Sequence, residues 1–126
     1  MDWITKPTSL LWLDAFGALT TALVTGLVLA TEILATGLPT SYLWFMSMTA
    51  AGFAVFDLLS YRFATDARRP LAIVAVLNLL YCTVAVTACS IYWSSLTTMG
   101  LIYFGLESAL VVPLAILELV VASRKE

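Results

Sequence analysis

Histidine is absent from the 126 residues, and only six basic and eight acidic side chains are present. Without imidazole there is no histidine-ligated haem, no usual transition-metal site and no Ser-His or Cys-His catalytic pair. The two cysteines, Cys82 and Cys89, fall within what reads as one helix. Their separation of roughly 10 Å along the axis is too long for a bridge. They read as small core residues, with no disulfide framework and no metal-binding spacing. No nucleotide motif or nucleophile–base grouping is recognisable, so catalysis is not the first expectation, and no cofactor is expected. The net charge of −2 argues against nucleic acid as a partner.

What is abundant is hydrocarbon. Hydrophobic residues make up 62% of the chain and charged residues 11%, against about 25% charged in a soluble domain. A membrane span needs roughly 20 apolar residues, so the length suits four spans, short loops and no separate soluble domain. The expected fold is all-α: a polytopic four-helix transmembrane bundle occupying residues 1–126 as one domain. Helix 1 is expected over about 9–35, started by Pro7-Thr8-Ser9 and stopped by Gly37-Leu38-Pro39. Helix 2 covers about 41–63 and ends before Asp66-Ala67-Arg68-Arg69. Helix 3 opens at Pro70, a favourable first-turn position, and runs to about 93. Helix 4 spans about 98–122. Met1-Asp2-Trp3 lacks the basic start and cleavage site of a signal peptide, so helix 1 is expected to be retained.

Basic residues orient the bundle. Lys6, Arg62, Arg68, Arg69, Arg124 and Lys125, all six in the protein, fall on the side of the two termini and the helix 2–3 loop. The opposite side has none. The expectation is therefore both termini in the cytoplasm, in a cytoplasmic (inner) membrane. Aromatic belts agree, with Trp3 and Trp12 near the inner face and Tyr42, Trp44, Tyr92 and Trp93 near the outer one.

At about 100° per residue each helix carries a polar stripe. In helix 1, Asp14 shares a face with Gly17, Ala18, Thr21, Thr25 and Glu32, opposite Trp12, Phe16, Leu19, Leu23, Leu27 and Leu34. In helix 2, Asp57 aligns with Ala50, Ala54, Ser60 and Tyr61, opposite Trp44, Met48, Val55 and Leu59. Asn78 aligns with Tyr81, Cys82, Ala85, Cys89 and Tyr92, and Glu107 with Gly100, Tyr103, Val111, Leu114 and Glu118. A charged group at mid-bilayer costs at least ~2.5–3.5 kcal/mol. The stripes are therefore expected to converge on one seam, inside the bundle or at an oligomer interface.

Asp14, Asp57 and Glu118 each lie five or six residues from the basic end of their helix, so one depth is expected for all three. Hairpin symmetry about residue 67 sets Asn78 opposite Asp57. Glu107 is eleven residues from Glu118, roughly 16 Å further toward the outer side. Thr25, Ala50, Tyr81 and Cys82 are its expected neighbours. Pro113 leaves the Ala109 carbonyl without its helical donor, and a kink there would open the helix near Glu107.

The candidate substrate- or ion-binding set is thus Glu107, Asp14, Asp57, Glu118, Asn78, Tyr81 and Thr25. Glu107 is the sharpest member. With no basic residue at its depth it is expected to be neutral much of the time, able to carry a proton or bind a cation. The structural alternative is a protonated Glu107 bonding Thr25, Tyr81 or a carbonyl. The other three acids can share protons, or pair with Arg62, Arg124 or Lys6 reaching in from the surface; Asp57 can also bond Tyr61 one turn on. Asn78 reads as interhelical glue, and Tyr81 and the cysteines more as packing than chemistry. Ala18, Ala22, Gly26 and Ala30 form a small-residue ladder suited to close packing. Arg68-Arg69 sets topology, with anionic lipid headgroups as a secondary contact.

Four helices of this length with an acid in helix 1 resemble the small multidrug resistance transporters in size and helix count. The aromatic and glycine pattern of those proteins is missing here, and their weak charge bias contrasts with six against zero, so membership is not assigned. The leading functional expectation is a proton- or cation-coupled carrier or permeation unit for a small solute. The alternative is a non-catalytic membrane module: an assembly subunit, a lipid-binding scaffold or an accessory of a larger complex. A membrane enzyme acting on a lipid or quinone comes third. Membrane lipids are the expected partners, with a homo-oligomer or a membrane-protein partner next.

Overall fold

The computed structural model describes residues 6–31 and 35–123, so Trp3, Glu32, Leu34, Arg124 and Lys125 lie outside the described residues. The described chain is all-helical. α1 (Pro7–Leu23) opens with its proline at the first helical position, where a missing N–H costs nothing. It continues directly into a π-helical segment, Val24–Leu29, in which Ala30 N–H donates to the Thr25 carbonyl five residues back at 2.8 Å. α2 (Thr40–Phe63), α3 (Arg68–Ile91) and α4 (Thr98–Ala122) follow.

With its π-helical extension, α1 gives a first span of 23 residues, and the other three spans are 24 or 25 residues long. At about 1.5 Å per residue each approaches or exceeds the ~30 Å hydrocarbon thickness of a bilayer. All four are long and apolar enough to cross a membrane. The outward surface matches. Phe16, Leu27, Met48, Val55, Ile91 and Leu110 are each more than half exposed, an apolar exterior that water would not tolerate.

The expected helix boundaries hold closely except in helix 1. There the regular α-helix stops at Leu23, and Ala35 is already non-helical. The change begins where α2 presses closest. The Ser47 hydroxyl donates to the Ala22 carbonyl at 2.7 Å, and a Cβ on Gly26 would stand 2.6 Å from Ser47 Oγ. A side chain reaching into the helical ladder is a recognised cause of such local distortion. Ala22, Gly26 and Ala30 are buried, so the small-residue ladder is the face that lets α1 lie along α2.

Two closely packed hairpins result, α1 with α2 and α3 with α4. Between them the packing is looser: the backbones of α2 and α3, of α1 and α3 and of α1 and α4 approach one another only lightly, and those of α2 and α4 do not come close among the described residues. An apolar cluster of Leu10, Leu11, Leu71, Val74 and Val121 joins the hairpins at the end bearing the 64–67 turn, here called the basic end. Ala22, Leu29, Leu43, Met46, Tyr81, Ala85 and Phe104 belong to a second cluster toward the far end.

The turns close the two ends differently. At the basic end Asp66 accepts the Arg68 backbone N–H at 3.1 Å and its guanidinium at 3.1 and 3.3 Å. This Arg68 contact holds the exposed Asp66 carboxyl below its ordinary range. At the far end the interhelical turns are latched together. Thr97 N–H donates to the Thr36 carbonyl at 2.9 Å, Thr97 Oγ1 to the Ala35 carbonyl at 2.7 Å, and Ser95 Oγ to the Gly37 carbonyl at 3.0 Å. Thr97 also caps α4, accepting from Gly100 N–H at 3.0 Å.

Gly37 is required at the latch. Its φ is +86°, in the left-handed region, and a Cβ there would drive into the Ser95 carbonyl. Gly37→Ala is therefore expected to cost more than about 1 kcal/mol, read as a lower Tm in detergent. Gly17→Ala is the control: nothing lies within 4 Å of its Cβ position, and the change should be neutral or stabilising by up to about 1 kcal/mol.

Candidate functional site

The polar stripes meet between the hairpins in two connected places. Nearer the basic end, Asp14 of α1, Asp57 of α2, Asn78 of α3 and Glu118 of α4 come together, each at most 8% exposed. Asn78 Nδ2 donates to Asp14 Oδ1 at 2.6 Å. Asp57 and Glu118 both lie against Asp14, and Glu118 lies beside Asn78 as well. Asp14 is thus the hub. Its second oxygen and all four carboxyl oxygens of Asp57 and Glu118 are buried without a hydrogen-bond donor. Two carboxylates in contact are all acceptor, so a proton between them supplies the missing donor.

Toward the far end the site opens into a cavity of about 390 Å³, within the size range of small-molecule sites. Glu107 and Tyr103 of α4 line it together with Tyr81 and Asn78 of α3, Asp14 and Thr21 of α1, and Ala50 and Phe53 of α2. Both Glu107 oxygens are buried and unpartnered; the Tyr81 hydroxyl lies beside the carboxyl without closing a hydrogen bond to it. Phe53 packs edge-on to Tyr81 with ring centroids 6.0 Å apart, which fixes the phenol at the cavity wall. Exposed Phe16 and Gly17 of α1 and exposed Leu106 and Leu110 of α4 also line the space, so its side opening lies between α1 and α4, where those helices barely touch.

The structure changes several expected partnerships. Asn78 bonds Asp14 and not Asp57, because the tight hairpins are α1–α2 and α3–α4 and the symmetry about residue 67 does not govern packing. Tyr61 is 48% exposed and gives Asp57 no bond. Thr25 is fully buried but hydrogen-bonds Tyr103 at 3.1 Å in place of Glu107. Cys82 does lie near Glu107, and beside Ser108 as well. No salt bridge joins Lys6 or Arg62 to the buried acids among the described residues; Arg62 lies over the Phe63 ring at 5.8 Å. Arg124, the remaining expected cation, lies outside the described residues. α4 runs through Pro113 as one helix.

Tyr103 and Thr21 lie on the expected polar stripes but outside the expected binding set. Tyr103 stands one turn before Glu107 on the same stripe, a usable signal. Nothing local announced the π-helical segment that sets Thr25 against it.

The fold and site together define a chain of four membrane-length helices around an acid-lined cavity. No protein-family model, curated protein or solved structure matches it.

Asn78 is a polar rivet between the hairpins, as the Thr25–Tyr103 bond is further along. Asn78→Ala leaves Asp14 Oδ1 without its donor and is expected to cost about 1–2 kcal/mol, read as a lower Tm in detergent. Thr83→Ala removes a hydroxyl bonded only to the Leu79 carbonyl of its own helix and should leave Tm unchanged.

Proposed function

We propose that this chain is a small integral membrane protein that binds a proton or a small cationic solute in the cavity between its hairpins and passes it across the membrane. The observation that carries this reading is the burial of both Glu107 carboxyl oxygens, without a donor or a basic neighbour, on the wall of a cavity of about 390 Å³. An acid kept at that depth costs stability in any purely structural role. A positive ligand would offset that cost, and the Tyr81 and Tyr103 rings beside it suit a cation's approach. In this reading Glu107 is the primary binding group. Asp14 and Asn78 line the other end of the cavity, and Tyr81 and Thr25 (through Tyr103) position the wall.

The six-to-zero distribution of basic residues supports a cytoplasmic (inner) membrane with both termini and the 64–67 turn inside. The far-end latch then faces outward.

A second reading, the non-catalytic membrane module, draws on the side opening between α1 and α4. A helix of a partner protein seated there would fill the cavity and complete the bundle.

Reconstitution separates the two. In liposomes carrying an internal pH dye, with methylammonium as the cation probe, the wild-type chain should dissipate an imposed gradient. Glu107→Gln should slow this by about tenfold or more, the effect of removing an interaction worth roughly 1.4 kcal/mol. Equal rates in both proteins would contradict the carrier. A stoichiometric foreign subunit retained in mild detergent would favour the module.

A further inference from the structure

The contact of Asp14, Asp57 and Glu118 does work that Glu107 does not need. Asp57 and Glu118 are 0% exposed, with every carboxyl oxygen unpartnered, and both side chains lie against Asp14. The apolar cluster of Leu10, Leu11, Leu71, Val74 and Val121 joins the helices at the same end of the bundle. Among the described residues these acids do not converge on one point as metal ligands would; two of them meet the third. Asn78 Nδ2 gives one of its two N–H groups to Asp14 Oδ1, and Glu118 lies beside the same amide with its oxygens closing no hydrogen bond. Only Asp14 and Asn78 of this group also line the cavity.

We propose that Asp14, Asp57 and Glu118 form a proton-sharing site, separate from Glu107, that exchanges protons with the cavity through Asp14. This rests on the carrier reading above. The charge balance is simple. Burying a net positive charge in an apolar bundle is costly. Where Glu107 holds its own proton, entry of a cation beside it adds such a charge, and departure of one proton from the shared set matches it. An O–H bond on Asp57 or Glu118 breaks, its electron pair stays on that carboxylate, and the proton passes to Asp14 and out through the cavity. The interior keeps the same net charge before and after.

Among the described residues, the groups that face the site from every helix are few. α1 offers Asp14, α2 Asp57, α3 Asn78 with Tyr81 further along, and α4 Glu118 with Glu107 further along. Arg62 and Lys6 are exposed. Nothing basic among these groups competes with the proton as the counter-charge.

Two readouts on the full chain in lipid nanodiscs test this. Infrared spectra at neutral pH should show protonated carboxyl bands, part of which disappears in Asp57→Asn or Glu118→Gln while Glu107→Gln removes a different part. Because an amide mimics a protonated acid in shape and hydrogen bonding, both triad variants should stay folded; Asp57→Glu, which keeps a carboxyl, should retain its band and serves as a second probe. Adding methylammonium in weak buffer should then release about one proton per cation from wild type, and none from the double variant Asp57→Asn, Glu118→Gln. Loss of no acid band in either triad variant, or undiminished release from the double variant, overturns the shared-proton site and leaves the Glu107 carrier standing. Loss of flux in Glu107→Gln with the triad bands intact is the expected pattern when both hold.

Discussion

Four carboxyl groups buried inside an apolar helical bundle, with no cation paired to them among the described residues, are the constraint from which the rest of this molecule follows. Left facing lipid, each would cost several kcal/mol; turned inward, they must still find donors. Asn78 supplies one, at 2.6 Å to Asp14. The others meet carboxyl against carboxyl, or sit unpartnered on a cavity wall. Protons or cations are what such a set lacks, which is the premise of the carrier proposed above.

The hairpin arrangement makes this tolerable. Small residues on α1 let it lie close along α2, at the expense of regular helix geometry over Val24–Leu29. Tight packing within hairpins and loose packing between them leaves room for the cavity. The two hairpins are then held by an apolar cluster at the basic end, hydrogen-bonded turns at the far end and the Asp14–Asn78 bond between. A joint fastened at its ends and open at its side is suited to admitting a small ligand without coming apart.

Much of this was legible in the residues, for a physical reason. Exposure to lipid is so costly for Asp14, Asp57 and Glu118 that helical periodicity alone identifies their inward face, and counting residues from the helix ends sets them at one level. The buried stripe of Ala50, Ala54 and Asp57 opposite the exposed Met48, Val55 and Leu59 shows the same logic in α2. What periodicity does not encode is which helix lies beside which. The partner of Asn78 differs from the expected one on that account, since the α2–α3 turn brings its helices together in sequence and not in close packing. Tyr61 lay at the edge of its stripe, where a long amphipathic side chain turns outward as readily as inward. The π-helical segment depends on Ser47 reaching Ala22 from a neighbouring helix, and no pattern within helix 1 contains that information.

The most direct test of the inward orientation is carbon NMR of the side-chain carboxyls in lipid nanodiscs, with molecular oxygen dissolved in the acyl chains as a relaxation agent. The account predicts that the carboxyl carbons of Asp14, Asp57 and Glu118 relax little, while methyl groups of Leu27 and Leu110, on the exposed surface, relax strongly. Carboxyl carbons relaxing as fast as those methyls would place the acids against lipid and contradict it.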